Sequence, residues 1–365
     1  MIPVSKPYLT QLEADYVNDA ISSGWVSSLG GYIERFEAEF ARFCGAKYAL
    51  TVANCTVGLH LALIANRIGV GDEVIIPDLT FVATANAVKM AGATPVMVDV
   101  CRDTYCINPG LIISAITENT KAIIPVHLYG HPANMKVISE IAEVHNLKII
   151  EDAAEAHGAS LDGLRVGAIG DCGVFSFYGN KIITTGEGGM IVTNNYELFE
   201  RLKFLRDHAM SKQIRYWHTE VGFNYRMTNM QAALGLAQLE QIDFFLAERA
   251  AQFDQYHTIL SVSGIECNPS VNAEPVNWMT CAIVQGISRQ MRDSIIARLH
   301  EKGIDSRPFF FPVSSFPMYS KKPNPISEEL SETGFNLPTF IGLKPEEIER
   351  ICSVFIESIN LSLGK

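Results

Sequence analysis

Between residues 48 and 193 the chain repeats one pattern, a short run rich in apolar and β-branched residues followed by a longer stretch with helical spacing. The runs fall at 48–53, 74–77, 96–98, 122–127, 148–152, 174–178 and 190–193. Runs that are apolar almost throughout, rather than at alternate positions, describe strands covered on both faces, and the intervening helices supply the cover. The expected fold is therefore α/β, with a mainly parallel seven-stranded sheet in a large domain. In such sheets the functional loops gather at the carboxyl ends of the strands.

The flanks of this region read as helices. Thr10-Gln11-Leu12-Glu13 has the form of a capping box, and the helix it opens should stop at Gly24. Ile33, Phe36, Phe40 and Phe43 mark a second helix after Gly30-Gly31. A single long helix is expected from Asn229 to about Tyr256, leading into a smaller C-terminal α/β unit whose last helix carries Pro345 in its first turn. The expected domains are residues 1–240 and 241–365.

The whole chain of 365 residues carries a formal charge of −11, which disfavours nucleic acid or an anionic membrane as its main partner. Its apolar runs are short and interrupted and its first residues lack a signal-peptide pattern, so a cytoplasmic protein is expected. Eight scattered cysteines without Cys-x-x-Cys spacing read as reduced thiols.

Two residues narrow the chemistry. Asp152 ends the fifth apolar run, and Lys181 follows Ser176-Phe177-Tyr178-Gly179-Asn180 ahead of the glycine-rich Gly186-Glu187-Gly188-Gly189. A carboxylate that can pair with a ring nitrogen and an amine that can form a Schiff base are the minimum equipment for pyridoxal 5'-phosphate (PLP) chemistry. Asn54-Cys55-Thr56, between a strand and a helix, offers free amides for a phosphate, and Ser176 offers a hydroxyl. Phe81 is a candidate lid over a flat ring, while Glu155 or His157 could reach the ring hydroxyl or a substrate. His127 and His131 are spaced four apart but lie beside a strand end, so polar loop or substrate roles are favoured over a metal, and no metal is expected. Tyr216-Trp217-His218 and Tyr225-Arg226 could line a sugar site or an interface.

Taken in order, Asn54-Cys55-Thr56, Pro77-Asp78-Leu79-Thr80-Phe81, Glu151-Asp152-Ala153-Ala154-Glu155, Ser176 with Lys181, Thr185-Gly186-Glu187-Gly188-Gly189 and Asn224-Tyr225-Arg226-Met227-Thr228-Asn229 resemble the DegT/DnrJ/EryC1/StrS sugar aminotransferases. The resemblance spans nearly the whole chain and implies PLP fold type I. It implies Lys181 as the lysine that holds the cofactor, Asp152 at the ring nitrogen, Glu155 near the ring hydroxyl and Phe81 stacked on the ring. Ser176 and the Cys55-Thr56 backbone would hold the phosphate. Asn224 would reach the cofactor of a second subunit, making a homodimer with shared sites.

The same resemblance implies glutamate as amino donor, pyridoxamine phosphate as the intermediate form of the cofactor, and a nucleotide-linked 4-keto-6-deoxy sugar aminated at C4. Trp25 and Ser27 in the Gly24-to-Ser28 run, together with His218, Arg226, Arg307 and Ser314, are the residues expected to meet the sugar. Related sugar 3-dehydratases carry histidine in place of the lysine, so Lys181 points to amine transfer. The chain departs from the family at Cys55, where glycine is common, and at Ser314, where the related C4-aminating enzymes commonly have histidine. UDP- or dTDP-linked sugars, amination at C3, and a sugar without a nucleotide remain alternatives from the sequence.

Overall fold

A computed structural model describes residues 1–364. The seven expected strands are all present, at Tyr48–Val52 (β1), Glu73–Pro77 (β2), Thr94–Val98 (β3), Thr120–Ile123 (β4), Lys148–Asp152 (β5), Cys172–Ser176 (β6) and Gly189–Thr193 (β7). They form one sheet in the order β1-β7-β6-β5-β4-β2-β3. Only β7 runs against its neighbours, and every other pair is parallel in sense. Because side chains alternate across a strand, Val74 and Ile76 of β2 enter the core on one face while Ile75 enters the core on the other. Both faces are buried, which is why the strands read as continuous apolar runs.

Helices α1 (Gln11–Ser22) and α2 (Gly31–Cys44) precede the sheet, α3 (Cys55–Ala65), α4 (Ala83–Met90), α5 (Pro109–Ala115), α6 (Met135–His145) and α7 (Tyr196–Arg206) follow its strands, and α1 and α2 both pack on α8 (Asn229–Leu239). The capping box at Thr10 is formed, with Thr10 N–H donating to Glu13 Oε2 at 2.7 Å. Gly24 follows the end of α1 at a φ of +77°. The expected single helix from Asn229 is instead two, since α8 ends at Leu239 and α9 begins at Ile242 (Ile242–Val262). The break is anchored on α1: the buried carboxylate of Glu13 accepts from Gln238 Nε2 at 2.6 Å and from Gln241 Nε2 at 2.7 Å. That contact joins residues far apart in sequence, so helical periodicity alone could not place it.

The C-terminal unit is built on an antiparallel four-stranded sheet of β8 (Glu266–Cys267), β9 (Thr280–Ile283), β10 (Arg307–Pro308) and β11 (Gly334–Leu337), in the order β8-β9-β11-β10. Tyr256, Leu260, Leu299, Phe335, Ile351 and Phe355 form its core, and Ile2 from the start of the chain joins them. The mainly parallel large sheet and this smaller antiparallel unit together make the fold-type-I architecture. No helix among the described residues is long and apolar enough to cross a membrane.

Candidate active site

The carboxyl ends of β1, β2, β5 and β6 converge on a cavity of about 520 Å³. Asn54, Cys55, Thr56, Phe81, Asp152, Glu155, Ser176 and Lys181 all line it. A larger open groove of about 890 Å³, bordered by Arg35, Arg42 and Arg165, contains none of these residues and lies away from this chemistry.

Asp152 is buried at the end of β5, where Oδ2 accepts from Thr84 Oγ1 at 2.7 Å and Oδ1 from Ala154 N–H at 3.2 Å. Burial pushes its pKa up, against the lowering effect of those two hydrogen bonds and of the Lys181 charge. A carboxylate so placed is stabilised by any further cation brought into the cavity. Glu155 is oriented by the Tyr129 N–H, 2.8 Å from its Oε2, and its Oε1 lies 3.4 Å from Lys181 Nζ. Burial raises the Glu155 pKa and the Lys181 ammonium pulls it down.

The phosphate-sized end of the cavity lies at the start of α3 (Cys55–Ala65), where Asn54 Oδ1 caps the helix by accepting from Val57 N–H at 3.0 Å. The first amides of a helix have no intrahelical partner and favour an anion. β7 passes so close that a Cβ at Gly189 would stand 2.9 Å from Cys55 N, so glycine is required there. The Cys55 thiol is directed at the Val174 carbonyl, at 3.9 Å, and burial holds its pKa well above the ordinary value. Phe81 stands 56% exposed, its ring 5.6 Å from that of Phe310.

The other sequence-derived residues do not line this cavity. Asn224 Oδ1 accepts from Arg226 Nε and Nη2 at 3.0 and 2.8 Å, while Arg226 Nη1 reaches Asp207 at 2.5 Å. His218 pairs through Nδ1 with the His208 carbonyl at 2.8 Å. The carbonyls of Trp25 and Ser27 both accept from Asn229, at 2.7 and 2.6 Å, which pins their loop to the start of α8. Arg307 is exposed and paired with Asp305 at 3.0 Å.

Ser314 is buried, and both its N–H and its hydroxyl donate to Asp78, at 2.7 Å each. His157 corrects an expectation. It points into the core between Phe40, Phe175 and Phe177 rather than toward the cavity. His127 also has a structural position, with Nδ1 accepting from Ala133 N–H at 3.0 Å and Nε2 directed at Glu151 Oε2 at 3.0 Å. The first bond requires the Nε2-protonated tautomer, which donates to Glu151. No group of three or more His, Cys, Asp or Glu side chains suited to a metal ion occurs among the described residues.

His157 leads to a pH prediction. Neither ring nitrogen has a well-formed hydrogen bond, and burial, reinforced by the Lys181 and Arg249 charges and opposed only by a weak contact with the Ser176 backbone, lowers its pKa from 6.5 to about 3. A base with a depressed folded-state pKa contributes stability that is complete above 6.5 and is lost as pH falls toward about 3. His157→Phe is expected to flatten this acid arm, retaining about 2 kcal/mol at pH 5 that the unmodified protein loses. Thermal unfolding of both proteins at pH 8 and pH 5 measures it, and parallel losses would remove His157 from the explanation.

Sequence reasoning missed Thr84 and Trp278, which also line the cavity with Asn180, Glu187 and Phe310. Thr84 had a local signal, one helical turn beyond Thr80. Trp278 had none, because it arrives from the C-terminal unit.

The sequence model of the DegT/DnrJ/EryC1/StrS aminotransferase family matches residues 7–355. The chain belongs to this family. It is 45% identical over 361 residues to the GDP-perosamine synthase of Escherichia coli O157:H7, covering 98% of each chain. It is 46% identical over 357 residues to the GDP-perosamine synthase of Caulobacter vibrioides, covering 96% of each. Among solved structures, the PLP form of Spr1654 from Streptococcus pneumoniae superposes with a TM-score of 0.95 at 28% identity, covering 99% of each chain. As a member of this family the protein is a PLP-dependent aminotransferase. Its buried acid, buried amine and capped helix start suit that cofactor's ring nitrogen, aldehyde and phosphate in turn.

Proposed function

We propose that the enzyme moves an amino group from glutamate to C4 of a nucleotide-linked 4-keto-6-deoxy sugar, converting GDP-4-keto-6-deoxy-D-mannose to GDP-perosamine. Two GDP-perosamine synthases align with it from end to end at 45% and 46% identity. The observation that carries the chemistry is the convergence of Asp152, Glu155 and Lys181 on one cavity.

Bound PLP supplies an electron-poor ring that takes up the electron pair left when an amino compound loses its α-proton. Asp152 is assigned to the ring nitrogen, which its negative charge keeps protonated. Lys181 Nζ is assigned to hold the cofactor and, once released, to carry the proton between substrate carbon and cofactor in both halves of the exchange. Glu155 is assigned to the ring hydroxyl. Ser176 and the Cys55 and Thr56 amides are assigned to the phosphate, and Phe81 to the exposed ring face, where it limits access of water.

The working unit in this proposal is a homodimer with shared sites. Trp25, Ser27, His218 and Asn224 are exposed and lie outside their own chain's cavity, and the two stretches that hold them meet at the start of α8. That position suits residues that complete the site of a second copy. Exposed Ile214, Tyr216, Trp217 and Val221 supply apolar surface for such contact. Ser314 then influences the sugar through the loop it ties to Asp78 rather than by touching it.

The test is a panel of GDP-, dTDP- and UDP-linked 4-keto sugars with glutamate, the product identified by mass spectrometry and its aminated carbon by magnetic resonance. The GDP-linked sugar should lead by at least about tenfold in kcat/KM, a discrimination typical of a site built for one polar group, with nitrogen at C4. Amination at C3, or a preference for another nucleotide, would replace this reading with one of the others.

A further inference from the structure

The amine of Lys181 has a second neighbour, which no part of the proposed reaction uses. Its Nζ lies 3.7 Å from the centroid of the Trp278 ring. Trp278 is only 4% exposed and belongs to the C-terminal unit, two residues ahead of β9. Its indole Nε1–H donates at 2.8 Å to the carbonyl of Asn180, the residue immediately before Lys181. One side chain thus fixes the peptide that carries the lysine and presents a π face to the lysine's charge.

The indole is itself held firmly. Its backbone N–H donates to the Tyr129 carbonyl at 3.2 Å, and its own carbonyl accepts from the buried Arg249 Nη1 at 2.8 Å. Its ring lies nearly parallel to that of Tyr129, at 15° and 6.2 Å. Tyr129 also donates its N–H to Glu155, so both groups that flank the amine hang on the same residue. Tyr129 adopts a φ of +52°, and that backbone conformation helps direct its N–H toward one partner and its carbonyl toward the other.

We propose that Trp278 is a positioning residue, holding the ammonium of Lys181 whenever the lysine is not bonded to the cofactor. An aromatic face attracts a cation without accepting its proton. The held group stays beside the cavity and bonds the cofactor from a defined place once its proton has passed to a base, for which Glu155 Oε1 stands 3.4 Å away. Because the indole comes from the C-terminal unit, the placement of that unit and the placement of the lysine are one event. The inference rests on the reading of Lys181 as the cofactor-binding lysine.

Apoprotein mixed with PLP reports the return step directly, as the rise of the absorbance band of the lysine-bound cofactor. Trp278→Leu is expected to slow that rise about tenfold, the scale of a desolvated cation–π contact. Its affinity for pyridoxamine phosphate, which forms no bond to the lysine, should stay within about twofold by equilibrium dialysis. Trp278→Phe keeps a ring face but loses the bond to Asn180, and should recover most of the rate. In turnover the loss should fall on kcat and leave KM for the sugar unchanged.

An unchanged attachment rate in Trp278→Leu would overturn the proposal. So would equal losses of attachment rate and pyridoxamine phosphate affinity, or a Phe variant no better than Leu. If Leu prevents folding, Trp278→Met fills the volume without a π face and takes its place in the comparison. Borohydride reduction and peptide mapping of the unmodified enzyme test the parent reading separately, since an adduct on another lysine would remove Lys181 and leave nothing for Trp278 to position.

Discussion

Lys181→Ala is expected to lower multiple-turnover amine transfer by about 10⁴-fold, because one side chain supplies both the covalent attachment and the proton carrier. The helix start proposed to hold the phosphate and the Asp152 carboxylate are untouched by the change, so cofactor should still bind without the lysine-bound absorbance band. The fold should survive as well. Glu155 loses the cation 3.4 Å away but keeps the Tyr129 N–H, and loss of the ammonium shifts its pKa further in the direction in which burial already drives it. Steady-state assay with glutamate and the keto sugar measures the loss. Normal turnover by this variant would refute the assignment of Lys181. The same protein tests the shared site: mixed with Asn224→Ala subunits, it should regain activity, since in a mixed dimer one site keeps both Lys181 and Asn224. Mixtures no more active than their parts would place Asn224 outside the neighbouring site.

Asp152→Asn should reduce kcat by about 10³-fold, at the upper end for removal of one preorganised electrostatic contact. An amide of the same shape can still meet the Thr84 hydroxyl, 2.7 Å from Oδ2, but cannot hold a positive charge on the ring nitrogen. Stability should move the other way. A carboxylate whose pKa is raised by folding favours the folded state most below its unfolded pKa, and that contribution is lost as pH rises through the folded value. At neutral pH the buried charge therefore weighs against the apoprotein, and the amide should leave its melting temperature unchanged or raise it. Single-turnover rates with glutamate and thermal unfolding of the apoprotein separate the two effects. A variant that lost activity and stability together would mark Asp152 as a structural residue.

How far the site could be read in advance depended on where each residue's partners lie. Asp152, Glu155, Ser176 and Lys181 sit within or just beyond two strand ends, and a strand end in a parallel sheet already faces the functional edge. Cys55 and Thr56 open a helix directly after a strand, which again defines their surroundings locally. His157 sits in the same short segment as Asp152 and Glu155, yet it turns into the core, because its direction is set by Phe40 on α2 and Phe175 on β6. Ser314, expected at the sugar, gives its hydroxyl to a buried carboxylate far away in sequence, Asp78. The break between α8 and α9 depended likewise on Glu13.

By itself, then, the sequence determined the strands, the capped helices, the acid and amine that meet in the cavity, and the family. Each is written in short-range periodicity or in residues adjacent along the chain, where backbone geometry leaves few choices. Only the tertiary structure decided that Trp278 and Phe310 wall the cavity, that Thr84 and Tyr129 orient its carboxylates, and that Ser314 is spent on Asp78. The Trp278, Phe310 and Ser314 contacts join the two units, those of Thr84 and Tyr129 join segments that follow different strands of the large sheet, and packing of buried surface rather than local propensity selects them all.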